Sequence, residues 1–221
     1  MTSPDGIAWT QRVSPTTENL LGLFWDGHQY LAGGDHGTML ASPDGIKWEK
    51  RDSGSDISLY SFSYSGSRYV AVGNDGMLVS TDSVTWTTPA TRWTTEHIPF
   101  TACTWTGTEF LACGLGLDNF PTIYASPAGD SWTLRDTTIK SSLRAAVTIN
   151  GAIYVAGDSV IEKSTDGGTT WQDTFINPTG NNNLFMGLAY DGKCLIAVGF
   201  NHNVWALPVS SPPRQGRGGN P

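Results

Sequence analysis

Between residues 20 and 33, apolar and polar positions alternate in two short runs split by an Asp-Gly pair, Leu23-Phe24-Trp25-Asp26-Gly27-His28-Gln29-Tyr30-Leu31-Ala32. A period of two broken at x-Gly predicts a β-hairpin, because glycine accepts the positive φ that a type I′ turn needs. The pattern returns around Ser65-Gly66, Thr106-Gly107, Asn150-Gly151 and Asp191-Gly192. Five hairpins are therefore expected, near 20–33, 59–73, 100–114, 143–157 and 184–199. A loop and a third short run follow, as in Thr38-Met39-Leu40-Ala41-Ser42, then a turn, then a fourth run carrying a tryptophan.

The turn before that fourth run is itself repeated. It reads Ser3-Pro4-Asp5-Gly6-Ile7-Ala8-Trp9, Ser42-Pro43-Asp44-Gly45-Ile46-Lys47-Trp48, Ser80-Thr81-Asp82-Ser83-Val84-Thr85-Trp86, Ser126-Pro127-Ala128-Gly129-Asp130-Ser131-Trp132 and Ser164-Thr165-Asp166-Gly167-Gly168-Thr169-Thr170-Trp171. The tryptophans are spaced by 39, 38, 46 and 39 residues. A unit of about 40 residues holding four antiparallel strands cannot bury both faces alone, so units stack radially into a β-propeller. The fold class is all-β, with five blades in one domain over 1–207. The blades fall near 19–52, 58–88, 99–136, 142–174 and 183–207. The last blade lacks a tryptophan motif, and the first motif has no hairpin before it. The N-terminal strand, within 1–12, is thus expected to complete the last blade and close the ring. An open solenoid would leave that split blade without a purpose.

Composition agrees with many short strands. The chain has 26 Gly and 12 Pro among 221 residues, above the roughly 12% of an average protein. Charged residues are 15%, against about 25% usually. The net charge of −7 disfavours binding to nucleic-acid phosphates. No apolar run approaches the roughly 18 residues of a membrane span, so no membrane insertion is expected. Met1 is followed by Thr-Ser-Pro-Asp-Gly, which does not read as a secretory signal. Cys103, Cys113 and Cys194 lie in apolar runs without C-x-x-C spacing and read as buried free thiols rather than metal ligands. No metal and no cofactor is expected. Residues 208–221 are a Pro/Gly-rich tail, either flexible or a segment that docks on a partner.

The Ser-x-Asp-(x)-Gly-x-x-Trp motif resembles the Asp box of BNR-type propellers, a family that includes sialidases, some endoglucanases, sortilin-type receptors and photosystem II assembly factors. The copy at 164–171 matches the long form, and those at 3–9 and 42–48 a form one residue shorter. Ser83 stands where glycine is expected, and Ala128 where aspartate is expected. The resemblance covers residues 1 to about 207 and speaks for fold more than function. It implies that the boxes lie on the rim away from the ligand face. Asp5, Asp44, Asp82 and Asp166 read as acceptors for backbone N–H groups of their own turns. Trp9, Trp48, Trp86, Trp132 and Trp171 read as rings packed between blades. One carboxylate per turn is too few for a calcium shell.

A glycoside hydrolase needs two opposed carboxylates, or a tyrosine nucleophile with an arginine cluster in the sialidases. The inner strands expected to line the axis are nearly devoid of carboxylates, and the [FY]-R-I-P element is absent. A non-catalytic binding or structural module is therefore the expected function. The loops opposite the boxes form its candidate face. Two insertions depart from the repeat there, 88–99 and 115–121. They contribute Arg92, Trp93, Glu96 and His97, and Asp118, Asn119 and Phe120. An aromatic flanked by charged groups suits stacking on a sugar or anchoring a protein. The loops after each second strand add Asp35, His36, Asn74, Asp75, Asp158, Asn201 and His202. These suit hydroxyl-rich ligands but are also ordinary turn formers. Expected partners are proteins of a larger assembly or a surface glycan. Stand-alone chains with S-P-D-G-x-x-W repeats resemble bacteriophage tail or fibre modules, which implies a virion location if the protein is phage-encoded. The alternatives are a bacterial lectin or protein-interaction scaffold, cytoplasmic or exported without a classical signal, and a glycan-directed hydrolase.

Overall fold

The computed structural model describes residues 1–91, 99–115, 121–135, 138–139, 142–158, 160–176, 184–200 and 204–209. Among these residues the protein is all-β and forms five antiparallel sheets, the blades of a propeller. Blade one holds β1 (Leu20–Trp25), β2 (Tyr30–Gly34), β3 (Met39–Ser42) and β4 (Glu49–Arg51). Blade two holds β5 (Leu59–Tyr64), β6 (Tyr69–Gly73) and β7 (Gly76–Ser80). Blade three holds β8 (Phe100–Trp105), β9 (Phe110–Leu115), β10 (Pro121–Ser126) and β11 (Thr133–Arg135). Blade four holds β12 (Leu143–Ile149), β13 (Ala152–Gly157), β14 (Val160–Ser164) and β15 (Gln172–Ile176). Blade five holds β16 (Phe185–Tyr190), β17 (Cys194–Gly199) and β18 (Val204–Pro208).

All five hairpins form at their x-Gly pairs, but only Asn150-Gly151 has positive φ at both residues as a type I′ turn requires; at Asp26, Ser65, Thr106 and Asp191 only the glycine has it. Gly27, Gly66, Gly107, Gly151 and Gly192 all have positive φ, and open space surrounds the position a Cβ would take. Blade two has only a single bridge, Val79 to Thr87, where its fourth strand belongs. Pro89 lies two residues further on and cannot extend the ladder, because it has no N–H.

The core lies between blades. Leu31 and Met39 of blade one meet Leu59, Ala71, Leu78 and Trp86 of blade two. Val70 and Val79 then meet Phe100, Phe110 and Trp132, and Leu111 and Ile123 meet Leu143, Ile153 and Trp171. Ile149 and Ile161 meet Phe185 and Leu195. Cys103 and Cys113 are buried free thiols, and burial pushes both up to about 12; Cys194 is free and half-buried.

One expectation is corrected. Residues 1–12 do not pair with β18, and blade five has three strands. The N-terminal segment instead closes on itself. Thr2 and Thr10 exchange both backbone hydrogen bonds at 2.9 and 2.8 Å, and Arg12 Nε donates to Thr2 Oγ1 at 2.8 Å. These bonds use donors and acceptors that a fourth strand would offer to β18. The hairpin lies beside Tyr30, Gly45 and Trp48 of blade one. Inner strands touch in the order β1, β5, β8, β12, β16, with no comparable contact from β16 back to β1. A seam therefore separates the last blade from the first.

Candidate functional site

The five box turns form one rim, and their hydrogen bonds are local. Asp44 Oδ1 accepts from Ile46 N and Lys47 N at 2.8 and 3.0 Å, and Trp48 Nε1 donates to Gly45 O at 3.1 Å. Asp5, Asp82 and Asp166 repeat the scheme. The backbone N–H groups of Thr85 and Val84 hold Asp82 down to about 2. Asp166 is lowered first by the Thr170 side chain, and Asp5 and Asp44 first by the N–H groups of Ala8 and Lys47. Ser83 adopts φ 61°, so a serine occupies the left-handed position otherwise filled by glycine. In the box with Ala128, Ser126 and Trp132 keep their bonds to Gly129, and Thr91 Oγ1 accepts from Trp132 N at 2.8 Å.

The same rim carries links between blades. Gln29 Nε2 donates to Ser83 Oγ at 2.8 Å, and Arg68 pairs with Asp130. Arg135 holds Glu109 at 2.6 Å while donating to Gly167 O. These charged groups are engaged in holding blades together.

On the opposite face, the described candidates are engaged too. Asp35 Oδ2 accepts from Asn19 Nδ2 at 2.8 Å, and its other oxygen from Ser58 Oγ of the next blade at 3.3 Å. Asn74 Oδ1 accepts from Ser58 N at 2.8 Å. Asp35 and Asn74 therefore tie the start of β5 to both flanking loops. His36 Nδ1 lies 3.0 Å from Glu18 Oε2, which raises the pKa of this exposed imidazole. Asp75 and Asp158 are exposed, and Asp158 bridges to Leu184. Arg92, Trp93, Glu96, His97, Asp118, Asn119, Phe120, Asn201 and His202, with tail residues 210–221, lie outside the described residues.

One concave feature lies on the axis. All five inner strands line a cavity of about 860 Å³, within the range of small-molecule sites. Its wall mixes Leu21, Leu23, Phe62 and Met186 with hydroxyls such as Ser61, Thr104 and Thr148. Thr104 and Thr148 hydrogen-bond across two blades at 2.9 Å. Arg144 is the one charged residue that the five inner strands contain.

Every inner strand begins with the same irregularity. Its first residue pairs with a glycine ending the second strand: Leu20 with Gly34, Leu59 with Gly73, Phe100 with Gly114, Leu143 with Gly157 and Phe185 with Gly199. A Cβ on any of these glycines would overlap the carbonyl oxygen of the residue just before the inner strand. The second residue is then bulged out of register, giving a set of five: Leu21, Tyr60, Thr101, Arg144 and Met186. Bulges re-aim side chains, and all five residues line the axial cavity. Sequence reasoning missed this set. The readable signal was the glycine recurring at 34, 73, 114, 157 and 199.

No family model matches the sequence, and no curated protein matches it. Similarity appears among solved structures. The chain resembles YCF48 bound to D1 peptide, at 21% identity and a TM-score of 0.61, over 86% of this chain and 65% of that one. It resembles the extracellular domain of a putative hybrid two-component system from B. thetaiotaomicron at 13% identity and a TM-score of 0.66, covering 92% of this chain but 28% of that one. A catalytically inactive virginiamycin B lyase from Staphylococcus aureus with quinupristin matches at 9% identity and a TM-score of 0.70, over 89% and 69% of the two chains. At these identities the likeness concerns architecture, and the chain is a five-bladed β-propeller, a fold compatible with a binding or interaction module.

Proposed function

We propose that the protein is a non-catalytic propeller that binds partners within a larger assembly, in the first place as a tail or fibre component of a phage virion. The observation that supports this reading is the chemistry of the axis. Its inner strands offer apolar and hydroxyl groups around one arginine and no carboxylate, whereas glycoside hydrolysis needs two acidic groups placed across the bond. On the loop face, Asp35 latches blade one to Ser58 of blade two, and Asn74 fixes Ser58 within blade two. That arrangement favours a rigid platform carrying variable loops over a polar catalytic pocket.

Quantitative mass spectrometry of purified particles from the source phage tests the virion assignment. A fixed copy number per particle is the expected result, and absence from particles overturns it. The second reading is a lectin or scaffold, supported by the amphipathic segment around Trp93 in the sequence. It predicts glycan-array binding that Trp93→Ala abolishes and Asp44→Ala leaves intact. Turnover of model glycosides would overturn both readings.

A further inference from the structure

We propose that the five bulged residues at the mouth of the axial cavity form a binding site for a small monocarboxylate with an apolar stem, in which Arg144 holds the carboxylate. Arg144 makes no hydrogen bond or ion pair with any described residue, and its Nε is withdrawn from solvent without an acceptor. A guanidinium in that state lacks the planar, two-oxygen partner that its fixed fork of donors matches best. Nη1 and Nη2 are not among the buried unpartnered atoms, so they are the two donors that a carboxylate in the cavity can reach side by side.

The rest of the set defines the ligand. Thr101 is committed, since its hydroxyl donates to Leu143 O at 2.6 Å. Tyr60 is half-buried, lines the cavity and has no hydrogen-bond partner among the described residues, so its phenol is available as a second donor. Leu21 and Met186 are exposed apolar side chains of the same set, and Leu23 and Leu188 continue the apolar wall. One cation supports one negative charge. A phosphate dianion would find a single guanidinium, in a protein whose net charge is −7. An aliphatic monocarboxylate places its charge on Arg144 and its chain against Leu21, Leu23 and Met186. The site is independent of the assembly partner proposed above, whose tests read particles and arrays, so either can fail alone.

Isothermal titration of the intact protein with octanoate and with octan-1-ol tests the proposal. Octanoate should bind saturably, with octan-1-ol weaker by about tenfold or more. Arg144→Gln should bring octanoate down to the level of the alcohol, and Arg144→Lys should keep part of the difference. A second measurement needs no variant. With 13C-methyl methionine labelling, octanoate should shift Met186 and leave Met39 and Met77, which are buried between blades, in place. Equal binding of acid and alcohol, unchanged octanoate affinity in folded Arg144→Gln, an unmoved Met186 methyl, or no saturable octanoate binding would each overturn it.

Discussion

The junctions between consecutive blades and the seam between blades five and one are built from the same repeat, yet they end in different states. Trp86, Trp132 and Trp171 are 7%, 5% and 8% exposed, whereas Trp9 is 59% exposed. All four carry the same indole N–H bond back to their turn, at 3.1, 2.9, 3.1 and 3.1 Å. The first residues of the inner strands divide in the same way. Leu59, Phe100, Leu143 and Phe185 are fully buried, and Leu20 is 45% exposed. Forming a box and burying its tryptophan are therefore separate events. The first is local hydrogen bonding; the second needs a neighbouring blade, and its driving force is apolar area removed from water. Exposed large apolar residues gather accordingly on the N-terminal hairpin, on β1 and on blade five.

The largest effect that would break this comparison is a change of tryptophan. Trp132→Ala should cost about 3–5 kcal/mol in denaturant unfolding, and Trp9→Ala no more than about 0.5 kcal/mol. Equal losses would mean that the seam is sealed in solution. Next come the inner-strand leucines. Leu59→Ala should lose about 2–5 kcal/mol, and Leu20→Ala clearly less. A smaller effect is expected at the box without its aspartate: Thr91→Val removes the acceptor for Trp132 N and should cost about 1 kcal/mol.

The smallest effect should be alike in both regions. Asp82→Asn and Asp5→Asn keep an acceptor oxygen but remove the charge from self-contained hydrogen bonds of the same kind, so their shifts in Tm should be similar and below those of the buried tryptophans. Acid unfolding reads the same bonds. Asp82 is lowered from 3.8 to about 2 in the fold. Its contribution is thus fully present above the unfolded pKa and is lost as pH falls from about 4 toward 2. A wild-type and Asp82→Asn pair compared by thermal melts at pH 6 and pH 2.5 should differ more at pH 6.

The blades were legible in the sequence because their signals are short-range. An alternation of two, an x-Gly turn and a Ser-x-Asp-Gly turn act within about ten residues, and each x-Gly glycine has the positive φ its turn implies. The seam was not legible. Whether Thr10 pairs with Thr2 or with β18 is a competition between a near partner and one almost 200 residues away, and alternation cannot weigh closure entropy. The bulge set was hidden for a related reason. Leu21, Tyr60, Thr101, Arg144 and Met186 share no chemistry, so nothing marks them as equivalent until the register is known. The glycines opposite them repeat, but glycine is so common in this chain that the recurrence at 34, 73, 114, 157 and 199 did not stand out. Asp35 and Asn74 show the reverse case: polar loop residues that look available in sequence are acceptors already in use.

The bulged position also has a meaning for how such a molecule diversifies. The glycine and the first inner-strand residue carry the packing, whereas the bulged residue that follows is leucine, tyrosine, threonine, arginine or methionine, and of these Thr101 bonds to the next blade. Five interchangeable slots on an invariant frame amount to a small alphabet written around the axis. A new specificity at this mouth is then a matter of respelling single letters, with Thr101, bonded to Leu143 O, the one letter tied into the next blade.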